Sequence, residues 1–183
     1  MNFLPTFASR IRMFAGVSLL SLLAACSTID RGSSPSLVKD ASWAVLPFDN
    51  HTETPMAGSR AESIATALLH ARGVGSVKRY TGDAQQESLV DGRNGKRREE
   101  ALSWARSEGV RYALLGAVDE WRYKVGVDGE PAVGVALEIV DVSEGKTVWS
   151  GAGGKSGWSR EALSAVGQKL IRDLLGTGIA NAR

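Results

Sequence analysis

The apolar positions in the first half of the chain switch between the periods of strands and helices. The run SWAVLPF at 42–48 is almost wholly apolar and predicts a buried strand. A helix is predicted to open at Pro55, with Ile64 and Leu68 on one face at the i, i+4 spacing. After two glycines, residues 77–80 predict a short second strand. This half therefore predicts a β-α-β unit.

The second half of the chain predicts two helices that flank three strands. Asp128-Gly129 is a hairpin turn signal between the two longest apolar runs. The predicted elements are a charged helix at 93–108, strands at 112–127, 132–142 and 147–151, and a helix at 161–175. The full order, β-α-β-α-β-β-β-α, predicts one α/β layered domain with a mixed or antiparallel sheet packed by helices.

The first 26 residues have the pattern of a secretory signal. Arg10 and Arg12 precede an apolar run at 13–23, and no acidic residue occurs before Cys26. The run is shorter than the about 20 apolar residues that span a bilayer. It ends in Leu-Ala-Ala-Cys, which resembles the lipobox of bacterial lipoproteins, with the only cysteine of the chain, Cys26, at the lipidated position. The alternative is a chance cysteine after an ordinary signal.

A lipobox divides the chain into three parts. Residues 1–25 would be the signal peptide, 26–40 the lipidated cysteine with a Ser-rich flexible tether, and 41–183 a periplasmic α/β domain. The mature chain would have no cysteine for a disulfide. Because Ser27 stands where an inner-membrane retention signal has Asp, lipoprotein sorting rules imply the outer membrane, with the domain facing the periplasm.

Removal of the signal also changes the net charge. The full chain has 22 Lys and Arg against 20 Asp and Glu. Arg10 and Arg12 leave with the signal, so the mature chain is formally neutral. We therefore expect no nucleic-acid partner.

The glycine-rich stretch WSGAGGKSGW at 149–158 is predicted to be a loop between a strand and a helix. That setting is typical of a P-loop, which needs Gly-x-x-x-x-Gly-Lys-Ser/Thr so that backbone N–H groups can wrap phosphates. The leading glycine is replaced here by Trp149. We therefore predict no nucleotide site.

The two tryptophans of this stretch suggest a membrane interface instead. Trp149 and Trp158 bracket small residues, with Lys155 and Arg160 nearby, and indole together with cations suits lipid headgroups. The alternative is that both tryptophans pack in the core or in a subunit contact. For Trp149, at the end of a strand, the core is the more common position, so Trp158 is the better membrane candidate.

Signals for catalysis are weak. His51 and His70 do not stand at metal-ligand spacing with another His or Cys, and no Gly-x-Ser-x-Gly occurs. We expect no enzyme, no cofactor and no metal.

The predicted sheet carries an excess of acidic residues. Alternation would place Asp119, Trp121 and Tyr123 on one face of their strand. The acidic residues between 119 and 144 are Asp119, Glu120, Asp128, Glu130, Glu138, Asp141 and Glu144, against only Arg122 and Lys124. Repeated in an oligomer, they would sum to a field that attracts cations. The alternative is an ordinary solvated hairpin.

Two stretches resemble the PelC family, outer-membrane lipoproteins of Pel exopolysaccharide export. They are WAVLPFDNHTETPMAGSRAE at 43–62 and GAVDEWRYKVGVDGEPAVG at 116–134, both behind the lipobox. The resemblance covers most of the mature chain, and the second stretch is the specific one. The AVLPF motif alone also occurs in TolB-like, CsgG-like and LpoB-like periplasmic proteins, which implies their fold.

The resemblance implies a non-enzymatic part of a secretion machine. The resemblance implies a homo-oligomeric ring under the outer membrane, with a tryptophan-bearing face toward the lipid and an acidic funnel toward the periplasm. The funnel would guide the cationic polysaccharide to the β-barrel porin PelB during biofilm export. By this resemblance Cys26 would carry the lipid anchor, including palmitate. Trp158, and less surely Trp149, would touch headgroups. The candidates for the acidic path are Asp119, Asp128, Glu130 and Glu138.

The alternative function is a monomeric lipoprotein that activates an envelope enzyme, as LpoB-like proteins do. Such a protein needs a tether long enough to cross the periplasm. Residues 27–39 are about 13 residues and extend to roughly 45 Å, which favours the secretion function.

Overall fold

The protein is an α/β domain whose secondary structure follows the predicted order. The computed structural model describes residues 27–33, 35–80, 82, 94–126 and 129–179. Cys26, Asp128 and the predicted signal lie outside these residues. The strands are β1 (Ser27–Arg31), β2 (Ser42–Val45), β3 (Asp49–Asn50), β4 (Ser76–Arg79), β5 (Tyr112–Tyr123), β6 (Pro131–Asp141) and β7 (Lys146–Ser156), and the helices are α1 (Ala57–Ala71), α2 (Asn94–Ser107) and α3 (Leu163–Gly178). The predicted fold class is confirmed, with β1 and β3 as additions.

The seven described strands form one mixed sheet. Its order is β1-β7-β6-β5-β2-β4, and the short β3 also pairs with β5. The four strands from β1 to β5 in this order are antiparallel, whereas β2 pairs in parallel with both β4 and β5. Parallel neighbours need long crossover connections. The helices α1 and α2 supply them.

The helices cover the two faces of the sheet unequally. Helices α1 and α3 lie on one face, where the larger core cluster contains Trp43, Trp121 and Trp149. Helix α2 lies on the other face and packs Ala101 and Ala105 in a smaller cluster over β2 and β5. The domain therefore has three layers over β2, β5 and the C-terminal end of β6. The described helices leave this side of β7, β1 and the rest of β6 uncovered.

The predicted flexible tether is wrong in its first part. Ser27–Arg31 form strand β1, which pairs with β7 in the register Ser27↔Lys155 to Arg31↔Gly151. Ile29 packs against the larger core cluster, and Leu37 is buried. The ordered domain therefore begins directly after the position of Cys26 and not at residue 41.

The predicted glycine-rich loop is also wrong, because these residues continue strand β7 to Ser156. Glycine is needed at two positions of β7 because a side chain there would collide with neighbouring atoms. A Cβ on Gly153 would lie 2.9 Å from the carbonyl oxygen of Thr28 and 3.2 Å from Cδ1 of Leu170. A Cβ on Gly151 would lie 2.9 Å from the indole of Trp149. Small residues here let β1 and α3 pack closely on β7.

Candidate functional site

Several strand ends meet at one end of the sheet, which we call the Trp158 end. Strands β5 and β7 finish there, and β1 and β6 begin there. The register pairs Tyr123 with Pro131, and Ser27 with Lys155. Trp158 follows the end of β7 by two residues. The predicted lipidation site Cys26 directly precedes Ser27 in sequence but lies outside the described residues.

Exposed apolar side chains collect at the Trp158 end. Among the described residues, five large hydrophobic side chains are exposed, and three of them are Trp158 (62%), Tyr123 (49%) and Val125 (fully exposed). Sequence reasoning missed Tyr123 and Val125 because it extended their strand to residue 127. Strand β5 ends at Tyr123, so Val125 projects beyond the sheet. The signal available in the sequence was the run of alternating apolar and cationic residues from Trp121 to Val125.

A hydrogen-bonded turn fixes the backbone of Trp158. The N–H of Glu161 donates to the Trp158 carbonyl oxygen at 2.9 Å, and the Trp158 N–H donates to Oε2 of Glu161 at 3.3 Å. Lys169 Nζ donates to Oε1 of Glu161 at 2.5 Å, and this hydrogen bond lowers the pKa of Glu161 despite its partial burial. The turn therefore fixes the backbone from which the exposed Trp158 side chain projects.

The same turn is attached to strand β5 and helix α3. The Tyr123 hydroxyl donates to the Glu161 carbonyl oxygen at 3.1 Å and accepts from the Leu163 N–H at 3.2 Å. Arg160 adopts a left-handed backbone conformation at φ 67° and is exposed beside Trp158. Helix α3 begins at Leu163, two residues later than predicted. Trp158 thus lies in the turn that precedes the helix.

The structure removes Trp149 and Lys155 from the predicted membrane interface. Trp149 is 3% exposed and packs against helix α3 at Gly178, where an added Cβ would lie 3.0 Å from the indole. Lys155 has only 19% of its side chain exposed and pairs with Asp173 of α3 at 3.1 Å. Both residues point from β7 toward α3. Alternate residues of a strand lie on one face of the sheet, and this face of β7 is turned toward the core. The core alternative therefore holds for Trp149.

A shallow acidic groove lies beside the Trp158 end. It runs between the loop at 51–55 and residues 119–122 of β5. Asp119 accepts from Nδ1 of His51 at 3.0 Å and keeps 59% of its side chain exposed. Glu53 is exposed on the same groove. His51, for which the sequence predicted no metal-binding role, therefore lies next to Asp119, a candidate for the acidic path.

A β-bulge at Asp119 overturns the predicted alternation. Val118 pairs with Val135 and Glu120 with Gly134, so Asp119 has no partner in the register of β6. The extra residue shifts the phase of the strand, and Val118 and Trp121 are both buried in the same core cluster. Asp119 is therefore exposed at the bulge and does not share the buried face of Trp121.

The predicted acidic residues do not form one cluster. Glu130 is exposed just before β6, and its carbonyl oxygen accepts from the Lys124 N–H at 2.7 Å. Glu138 lies farther along β6, where its carboxylate binds Arg98 of α2 and accepts from Thr147 at 3.1 Å. Glu120 pairs with Arg122 at 3.0 Å. Of the four candidates for the acidic path, Asp119 and Glu130 are therefore exposed, Glu138 is ion-paired with Arg98, and Asp128 lies outside the described residues.

Other chemistry is limited in the part of the chain that the structure describes. It contains no group of three or more His, Cys, Asp and Glu side chains arranged to hold a metal ion. No helix within it is long and apolar enough to cross a membrane.

Solved structures identify the family. No protein-family model matches the chain, and a comparison with curated proteins finds no match. The PelC dodecamer from Paraburkholderia phytofirmans is 44% identical, with a TM-score of 0.72 over 86% of this chain and 99% of that chain. A variant of that dodecamer gives 43% identity and a TM-score of 0.73 over 86% of this chain and 100% of that chain. Lipoprotein GNA1162 from Neisseria meningitidis shares the fold, at 21% identity and a TM-score of 0.52 over 78% of this chain and 99% of that chain. The chain therefore belongs to the PelC family.

Proposed function

We propose that this protein is an outer-membrane lipoprotein that assembles into a ring and guides cationic Pel exopolysaccharide toward the porin PelB. The observation that carries the proposal is the Trp158 end, where the strand that follows Cys26 begins beside exposed Trp158, Tyr123 and Val125. A lipid on Cys26 would insert at the same end of the domain as these side chains. The 44% identity to a dodecamer supports a homo-oligomer.

The position of β1 disfavours the alternative of a periplasm-crossing activator. Such a protein needs a long free linker between its lipid and its domain. Here Ser27, the residue after Cys26, already pairs with Lys155. No linker remains, so the domain would lie against its own membrane.

The accessible acids suit guidance of a polymer more than its capture. An exposed carboxylate paired with an ammonium group contributes about 0–1 kcal/mol, so one site would not retain a moving chain. Repetition around a ring adds these small attractions into a field that concentrates cations. Asp119 and Glu130 lie near the Trp158 end, so in the ring they would act where the polymer leaves toward the porin.

Charge reversal tests the proposed polysaccharide path. Changing Asp119 and Glu130 together to Lys is expected to lower polysaccharide secretion several-fold, because the local field changes sign. Secreted polysaccharide would be measured in cells that depend on this protein, and assembly by native mass spectrometry. Secretion equal to that of the parent would remove both residues from the path.

A matched control separates the position of the charge from its amount. Glu99 and Glu100 are exposed on helix α2, and changing both to Lys alters the net charge by the same amount. This control is expected to secrete like the parent. An equal loss of secretion in both double variants would mean that secretion depends on the net charge of the protein and not on the position of Asp119 and Glu130.

Replacement of the exposed tryptophan tests the membrane contact. Trp158→Glu is expected to reduce the binding of residues 27–183 to anionic lipid vesicles about tenfold or more, because burial of a large apolar side chain contributes about 1.5–3 kcal/mol. Co-sedimentation measures the bound fraction. The control is Val38→Glu, since Val38 is also exposed (49%) but lies before β2, at the opposite end of the sheet. Equal pelleting of Trp158→Glu and the parent contradicts the proposed orientation.

A further inference from the structure

Part of one face of the sheet is not covered by the described helices. It consists of the outward residues of β6, β7 and β1 on the side away from α1 and α3, which we call the open face. Helix α2 covers the neighbouring part of this side through Ala101 and Ala105. The register brings Ala136 of β6, Ala152 of β7 and Asp30 of β1 side by side across the open face.

The residues of the open face are unusually small for exposed strands. Exposed strand positions favour β-branched and aromatic residues, whereas Gly and Ala are depleted in strands. Here Gly134 and Ala136 lie on β6, and Ser150, Ala152 and Gly154 lie on β7. A glycine inside a strand often marks a place where another backbone approaches closely.

Contacts within the chain account for the glycines on the helix-covered face of β7 but not for Gly154. Added Cβ atoms at Gly151 and Gly153 would approach neighbours to 2.9 Å. At Gly154 the nearest atom, the carbonyl oxygen of Val133, would be 3.9 Å away, which is an ordinary contact. Contacts within one chain therefore explain the glycines at 151 and 153 but not the glycine at 154.

The open face contains a shallow concavity, which we call the trough. On the side of the open face nearest α2, Arg98 of α2 pairs with Glu138 of β6. The trough has a volume of about 330 Å³ and is lined by Asp30 of β1, Ala136 of β6 and Ala152 of β7. A convex element could lie in this trough with its backbone close to the strands.

We propose that the open face is a subunit interface and that its occupant is a second copy of this chain. The inference rests on the proposed ring and specifies which surface builds it. In a closed cyclic ring each subunit uses two different patches, one of which receives the other from the next subunit. The trough is the receiving patch. The second copy is the occupant that the dodecameric relative supports, since its structure matches 86% of this chain.

A single large charged residue in the trough tests the interface. Ala152 is exposed in one chain, so Ala152→Arg should fold but should block a close neighbour. The full chain would be extracted in mild detergent and analysed by native mass spectrometry, with thermal unfolding as a check of folding. We expect one closed assembly for the parent and at least a tenfold drop in the assembled fraction for Ala152→Arg.

The control carries the same change on another surface. Ala67 is exposed on helix α1, and Ala67→Arg is expected to assemble like the parent. If the parent and Ala152→Arg assemble equally well, the proposed interface is wrong, whereas the proposed ring is not contradicted. If the parent is monomeric, the proposed ring fails, and the interface fails with it.

Photo-cross-linking identifies the occupant directly. A photoreactive amino acid at position 152 of the full chain in cells is expected to give an adduct of twice the chain mass, and the same residue at position 67 is expected to give none. An adduct of position 152 with a different protein or with polysaccharide would overturn the assignment to a second copy.

Discussion

Trp121→Ala is expected to lower the free energy of unfolding by about 3–5 kcal/mol, the range for truncation of a large buried aromatic side chain. Trp121 is 1% exposed and lies under helix α3 at Gly167, where an added Cβ would be 2.4 Å from its ring. Alanine would leave a cavity between β5 and α3. The loss would be measured by urea unfolding of the parent and the variant.

Trp158→Ala is the matched control for this prediction. It removes the same side chain from a position that is 62% exposed, so it is expected to change the free energy of unfolding by less than about 0.5 kcal/mol. Similar losses for the two variants would contradict the assignment of Trp121 as the central core residue and of Trp158 as a surface residue.

Asp141→Asn is expected to lower stability at neutral pH by about 2 kcal/mol, because Asp141 is a buried carboxylate with charge-assisted hydrogen bonds. It pairs with Arg111 at 2.6 Å and accepts from the hydroxyl of Ser143 at 2.6 Å and from the Ser143 and Glu144 N–H groups at 3.0 and 3.2 Å. Burial alone would raise the pKa of Asp141, but these donors and the charge of Arg111 outweigh it and lower the pKa below its ordinary value of 3.8.

The direction of this shift fixes the pH dependence. A carboxylate with a lowered folded pKa contributes stability above its unfolded pKa and loses it as pH falls through the folded pKa. The difference in melting temperature between parent and Asp141→Asn should therefore be full at pH 7 and shrink below about pH 3.8. Glu144→Gln, at an exposed and loosely paired carboxylate, should show little difference at any pH. A constant difference for Asp141→Asn across this range would contradict the ionic role.

Local patterns predicted most of the fold. The β-α-β-α-β-β-β-α order follows from apolar periodicity, because the predicted strands and helices have their own strong patterns and Asp128-Gly129 marks a turn. The exposed Trp158 was also a candidate from sequence, since it follows a glycine-rich stretch. Its exposure is 62% in the structure.

Errors arose where tertiary packing overrode local composition. The Ser-rich start predicts a tether, yet Ser27–Arg31 pair with β7. Glycines at 151 and 153 predict a loop, yet they lie in a strand because β1 and α3 need the space. The bulge at Asp119 shifts the side-chain phase, and no pattern within one strand reveals a register shift against another.

By itself, the sequence determined the order of the elements, the fold class, the lipobox pattern at Cys26 and the resemblance to the PelC family, because each of these depends on residues close together in the chain. Only the tertiary structure decided which charges and aromatic side chains are available. It brought Tyr123, Val125 and Trp158 to one end of the sheet, buried Trp149 under α3 and paired Glu138 with Arg98. It also left part of one sheet face uncovered by the described helices. The physical reason is that exposure and ion pairing depend on neighbours distant in sequence, which only the register of the sheet and the positions of the helices define.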